Sequence, residues 1–123
     1  MVSVVISIGS NFGDRESAVA GAIEWLKKDI LSQVKCSDVY ETPCALNGEK
    51  SYVNAVVSGF FQGTGIELEE ILKDKEFQMG RTSKMREKKL VPIDLDIVLM
   101  NGEVVKDWDY RQKFFKIGFS QII

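Results

Sequence analysis

The sequence predicts an α+β fold, an antiparallel sheet with helices packed on one face. Three observations carry that expectation. Short runs rich in Val, Ile, Phe and Tyr alternate with two segments of helical periodicity. The second and third runs follow each other with no helix between them, and the last apolar run ends on an Asn-Gly pair. The predicted order is β-α-β-β-α-β, and at 123 residues the chain is expected to be one domain, 1–123.

Val2 to Ile8 is apolar and β-branched, and stops at Gly9-Ser10-Asn11-Phe12-Gly13-Asp14, a strand followed by turn residues. Asp14 or Ser10 is placed to cap a helix over 16–30, whose apolar face is Ala18, Ala22, Ile23, Trp25, Leu26 and Ile30. A second strand is expected over 32–41, with Val34, Cys36 and Val39 apolar, and a loop over 42–50. Tyr52 to Phe61 is the third strand. Gly63-Thr64-Gly65 breaks it before a second helix over 67–78, with Leu68, Ile71, Leu72 and Phe77 inward and Gly80 closing it. Residues 82–90 read as a charged loop without periodicity, and the run Ile93 to Met100 as the fourth strand. Asn101-Gly102 turns it into Glu103-Val104-Val105, and 106–123 reads as one helical turn and a short final strand. Two helices on one face of such a sheet make a ferredoxin-like sandwich.

Composition narrows the function. Hydrophobic residues make up 45% of the chain, enough for a core, and 16 basic against 18 acidic residues leave a net charge of −2. That balance argues against bulk binding to nucleic acid or an anionic membrane. The cations are concentrated in 84–89, so any polyanion site is local. With no histidine, His-based zinc sites and His-based acid/base catalysis are excluded. Two cysteines without a CxxC spacing do not make a disulfide framework. No segment approaches the roughly 20 apolar residues of a membrane span, and the first strand lacks the basic flank of a signal peptide. A cytoplasmic, reduced protein is expected, a monomer or weak oligomer.

The chemistry-bearing feature is Asp94-Leu95-Asp96 inside the fourth strand. A strand alternates its faces, so both carboxylates point the same way. Two like charges on a half-buried face are costly unless a cation lies between them, and Mg²⁺ held by carboxylates and substrate phosphates is the usual one. Arg81, Lys84, Arg86, Lys88 and Lys89 precede the pair; the run reads either as a solvated face or, beside the carboxylates, as a clamp for phosphates. Tyr52 and Asn54 share a strand face, where an aromatic ring and an amide suit a flat heterocycle. The glycines of 9–14 fit neither GxGxxG nor a Walker loop.

These segments together resemble the 6-hydroxymethyl-7,8-dihydropterin pyrophosphokinase family of folate biosynthesis. The motifs are Ile8-Gly9-Ser10-Asn11-Phe12-Gly13-Asp14, Tyr40-Glu41-Thr42-Pro43, Tyr52-Val53-Asn54-Ala55, Glu76 through Gly80-Arg81, and Ile93-Asp94-Leu95-Asp96-Ile97, in the family's order. The resemblance implies the ferredoxin-like fold and a transferase that moves pyrophosphate from ATP to the hydroxymethyl group of a reduced pterin. It implies two Mg²⁺ ions on Asp94 and Asp96, with Arg81 also catalytic. The pterin pocket would take Thr42, Pro43, Tyr52, Asn54 and Phe115, and the ATP side Glu76, Arg81, Lys84, Arg86 and Lys113. Against the family's pattern, Leu90-Val91-Pro92 stands where Pro-Arg is expected and Ser83 where a second loop arginine is expected. Asp107-Trp108-Asp109 replaces a histidine segment, Lys113 matches a further arginine, and the tail, 106–123, is divergent and short. Lysine does not reproduce the bidentate guanidinium fork. The alternative to an active pyrophosphokinase is a weakened paralogue that binds pterin or nucleotide without efficient transfer.

Overall fold

The computed structural model describes residues 1–43 and 51–123; the loop expected at 42–50, with Cys44, lies outside them from residue 44 on. The elements are β1 (Val2–Ser10), α1 (Arg15–Trp25) running into a π-helical turn (Leu26–Ile30), β2 (Ser32–Cys36), β3 (Tyr40–Thr42) and β4 (Tyr52–Phe61). They continue with α2 (Gly65–Gln78), α3 (Ser83–Glu87), β5 (Asp94–Met100), β6 (Glu103–Val104), α4 (Asp107–Arg111) and α5 (Lys113–Ile122). The sheet runs β2-β4-β1-β5-β6, with β3 also on β4, and every pairing is antiparallel. β1 and β4 lie at its centre, and both are largely buried, as central position requires.

The expected ferredoxin-like core is present. Ile6, Ile8, Val53, Val57, Leu95 and Ile97 face α1 and α2 and pack against Val19, Ala22, Leu26, Leu68 and Leu72. Asp14 caps α1 by accepting from the Ser17 N–H at 3.1 Å. Thr64 and Glu67 form a reciprocal capping box on α2. Four expectations are corrected. The second strand is broken at Ser37, whose N–H and hydroxyl both bond the backbone of Val56, so Val39 is exposed. Phe77 points to solvent. The basic loop contains α3, capped by the Thr82 hydroxyl. The tail forms α4 and α5 in place of a turn and a strand.

α5 covers the sheet face opposite α1 and α2, and there Phe115 and Ile122 meet Val56, Val98 and Leu99. A bulge in β5 makes this possible. Ile97 pairs with Ile6 and Leu99 with Val5, so Val98 is the extra residue. Val98 and Leu99 therefore both turn toward α5, although strict alternation would separate them. Tyr40 ties β3 to α5, donating to the Phe114 carbonyl and accepting from the Gly118 N–H at 3.0 Å. Burial raises the Tyr40 phenol to about 12, so it stays a donor.

Two connections aim the later elements at one end of this face. Gly80, at φ 102°, reverses the chain after α2: its N–H bonds Phe77 and that of Arg81 bonds Glu76, a Schellman closure. Asn11 pairs with the segment before β5 as a strand would. Its N–H and Oδ1 engage the carbonyl and N–H of Val91 at 2.9 and 2.6 Å, and its Nδ2 donates to Lys89 at 3.2 Å.

A Cβ on Gly118 would sit 2.6 Å from Val56 Cγ2 and 2.7 Å from the Tyr40 oxygen. Gly118→Ala is expected to lower unfolding stability by about 1–3 kcal/mol through overpacking, measured by urea denaturation. An unchanged midpoint would show that α5 does not pack this closely.

Candidate active site

Cross-strand pairing sets Gly9 beside Asp94 and Asn54, and Ser7 beside Asp96 and Val56. Since paired residues share a face, Asp94, Asp96, Asn54 and Gly9 all lie on the side that α5 covers further along the sheet. Where α5 stops covering, a cleft of about 860 Å³ opens over them. It holds Thr42, Pro43, Tyr52 and Asn54 at one end, Asp94 and Asp96 on the floor, and Arg81, Arg86, Lys88 and Lys89 along the basic side.

β5 lies one strand from the sheet edge, and β6 pairs only with Leu99 and Met100. The open stretch of that edge is satisfied by α2. The buried Glu76 carboxylate accepts the Leu95 N–H at 2.7 Å, and Lys73 Nζ donates to the Leu95 carbonyl at 3.2 Å. The same two side chains reach the site. Lys73 bonds Glu76 at 3.0 Å and Asp96 at 3.4 Å; Arg81 Nη1 bridges Asp94 at 2.7 Å and Glu76 at 3.2 Å. Lys106 Nζ, from beyond β6, contacts Asp96 Oδ1 at 2.7 Å.

The electrostatics follow from this geometry. Burial and the neighbouring Asp96 carboxylate push Asp94 up to about 7, against the pull of Arg81. Burial also opposes charge on Asp96, but the hydrogen bonds from Asp94 and Lys106 and the charge of Lys73 outweigh it and hold its pKa down. Burial disfavours the charges of Lys73, Arg81 and Lys106 as well, and the carboxylates more than restore them. The two carboxylates therefore interact strongly and share one face of β5 on the cleft floor. Among the described residues no group of three or more His, Cys, Asp or Glu side chains is placed to hold a metal. Two carboxylates alone, with all-oxygen donors, suit Mg²⁺, which keeps several waters and completes its shell with substrate phosphates.

At the other end, Asn54 is buried and its amide nitrogen donates to Thr42 Oγ1 at 2.8 Å and to the Tyr52 carbonyl at 3.2 Å. Those acceptors fix the amide orientation and leave Oδ1 on the side of Gly9 and the cleft. The Tyr52 ring lies over Gly9, where a Cβ would come within 3.3 Å of it.

Not every expected residue reaches the cleft. Phe115 is fully buried against the sheet; its neighbour Phe114 lines the cleft, with its ring 6.0 Å from that of Trp108. Helical geometry explains the exchange, because adjacent helix residues point about 100° apart and the apolar stripe of α5 claims Phe115. Lys84 and Lys113 are exposed and do not line the cleft, whereas Arg86, Lys88 and Lys89 do. Glu76 lines the cleft, and its carboxylate is engaged by Leu95, Lys73 and Arg81. Sequence reading missed Lys73 and Lys106. Lys73 had a usable signal, since it lies three residues before Glu76 on one helix face; Lys106 had none.

A sheet that presents paired carboxylates, converging cations and an amide-and-aromatic recess in one cleft belongs to the small-molecule phosphoryl and pyrophosphoryl transferases. The family model for 7,8-dihydro-6-hydroxymethylpterin-pyrophosphokinase matches residues 5–122, and the chain belongs to that family. It is 33% identical over 102 residues to the 2-amino-4-hydroxy-6-hydroxymethyldihydropteridine pyrophosphokinase of Porphyromonas gingivalis, covering 80% of this chain and 69% of that protein. The Bacillus subtilis protein of the same name is 33% identical over 103 residues, covering 82% of this chain and 61% of that one. A folate synthesis bifunctional protein of Arabidopsis thaliana is 33% identical over 96 residues, covering 77% of this chain and 20% of the longer protein. The expected enzyme class, a pyrophosphokinase of folate biosynthesis, is the one these comparisons support, and they lend nothing to the weakened-paralogue alternative. Among the described residues no helix is long and apolar enough to cross a membrane.

In the metal-free protein, ionising Asp94 costs more in the folded state than in the unfolded chain, where an aspartate titrates near about 3.9. Below that value both states are protonated and the cost is nil; it grows as pH rises toward about 7 and is complete above. Asp94→Asn is therefore expected to gain on the wild type in thermal midpoint between about pH 4 and pH 8 without divalent cations. A difference that stays constant across that range, followed by differential scanning fluorimetry, would contradict the raised pKa.

Proposed function

We propose that this chain transfers the β,γ-pyrophosphoryl group of ATP to the hydroxymethyl oxygen of 6-hydroxymethyl-7,8-dihydropterin, with Asp94 and Asp96 holding Mg²⁺. The observation that carries the reading is the shared cleft face: the carboxylate pair on β5 and the Asn54-Tyr52 recess on β4 flank β1 and are joined across its Gly9. The pterin sits against Tyr52 and Phe114, where ring faces supply stacking. Asn54 Oδ1 accepts from the heterocycle's N–H groups, and Thr42 keeps the Asn54 amide in that orientation.

The triphosphate lies toward Arg81, Arg86, Lys88 and Lys89. The hydroxymethyl oxygen forms a bond to the β-phosphorus of ATP as the bond from that phosphorus to the α,β-bridging oxygen breaks. AMP leaves with the bridging oxygen and the hydroxyl proton passes to water. When bound, Mg²⁺ supplies charge neutralisation and alignment for the phosphoryl oxygens. The chain's own residues do the remainder. Asp94 and Asp96 provide the oxygens for the ion, Arg81 holds Asp94 in place, and the loop cations bind the charge that develops on the transferred group. Glu76 acts as a positioning residue, fixing β5 through Leu95 and steering Arg81. None of these steps needs a histidine.

Asp96→Asn is expected to cut AMP release by roughly 10²–10³-fold, the cost of losing one preorganised electrostatic partner, while pterin affinity by calorimetry stays nearly unchanged. Turnover equal to the wild type would remove the carboxylate pair from the reaction.

A further inference from the structure

We propose that the site works with a single divalent cation, and that Lys106, supported by Lys73, occupies the second cation position. The inference rests on the reading of Asp94 and Asp96 as the Mg²⁺ site and sets how many ions that site takes.

Two carboxylates side by side offer one cation position between them and one on the outer oxygen of either group. The inner position faces the cleft, which both carboxylates line. One oxygen of Asp96 is already engaged: Oδ1 accepts Lys106 Nζ at 2.7 Å and Lys73 Nζ at 3.4 Å. Neither ammonium is there by accident of a floppy surface chain. Lys73 is anchored by Glu76 at 3.0 Å and by the Leu95 carbonyl at 3.2 Å. Lys106 is delivered by the β5–β6 hairpin, where Asn101 and Gly102 adopt the positive φ values of a tight turn and the N–H of Val105 bonds the Val98 carbonyl at 2.8 Å. That turn returns the chain to the level of Asp96 and leaves the Lys106 stem to span the cleft wall.

Charge balance points the same way. Arg81, Lys73 and Lys106 face Glu76, Asp94 and Asp96 within hydrogen-bonding reach, so three cationic side chains already match the three carboxyl groups before any metal arrives. Each Mg²⁺ demands near-ideal octahedral oxygen donors and gives up water reluctantly. A second ion at Asp96 would have to displace two ammonium groups, one of which also holds the sheet edge. An ammonium can also do what that second ion would do for the substrate. With one N–H on Asp96, Lys106 retains two donors for phosphoryl oxygens, as a point charge.

The test counts ions. Mn²⁺ is titrated into the protein saturated with α,β-methylene ATP, and free ion is read by electron paramagnetic resonance. One ion bound per chain is expected for the wild type, and two for the Lys73→Met/Lys106→Met variant. Two ions bound by the wild type would overturn this inference while leaving the carboxylate site intact. No ion bound would overturn both this inference and the metal reading of Asp94 and Asp96. The wild-type count stands whether or not the double variant folds.

Discussion

The burial of two like charges on β5 is the constraint around which the rest of the molecule is arranged. Asp94 lies half-buried and Asp96 buried on an apolar strand, and such a pair is stable only if its charge is balanced locally. α2 supplies Lys73 and, past its glycine closure, Arg81; the hairpin after β5 supplies Lys106. These cations come from segments distant in sequence, so electrostatic balance and tertiary structure stand together. Removing one partner would leave a buried charge uncompensated, which costs far more than the pair contributes when complete.

The same contacts solve a second problem. A strand edge with free N–H and C=O groups invites pairing with other chains. Glu76 and Lys73 cover the Leu95 groups with side chains, where another strand would have buried the carboxylates. The edge is thus closed chemically and left open sterically, and the cleft is the space that results. On the far half of this sheet face the bulge at Val98 turns two adjacent apolar residues toward α5. One strand therefore carries a wet, charged half and a dry, packed half.

The fold was legible where periodicity was unambiguous. The central strands, both major helices, the Asn101-Gly102 turn and the carboxylate pair all follow from local pattern. The tail was not legible, because its aromatic density suits strand and helix alike. Phe115, Ile117 and Phe119 alternate as in a strand, while Phe115, Phe119 and Ile122 recur as on a helix, and the packing of Phe115 and Ile122 against the bulged strand accompanies the helical outcome. The same ambiguity exchanged Phe115 for Phe114. The site was legible for residues whose face is set by strand alternation, as with Tyr52, Asn54, Asp94 and Asp96. It failed for lysines, whose long stems let them reach a site from almost any nearby backbone position. Lys106 is the clearest instance and Lys84 the converse, an expected cation that points to solvent.

The Asn11 clamp separates the frame of the site from its chemistry. It grips Val91 only through the main-chain N–H and C=O, so the position is held whatever side chain it bears. Val91 nevertheless lines the cleft. Substitution there changes what the pocket offers a ligand while leaving the main-chain grip of Asn11 available. Selection can therefore retune this wall one residue at a time, and a change from arginine to valine leaves no trace in the architecture around it.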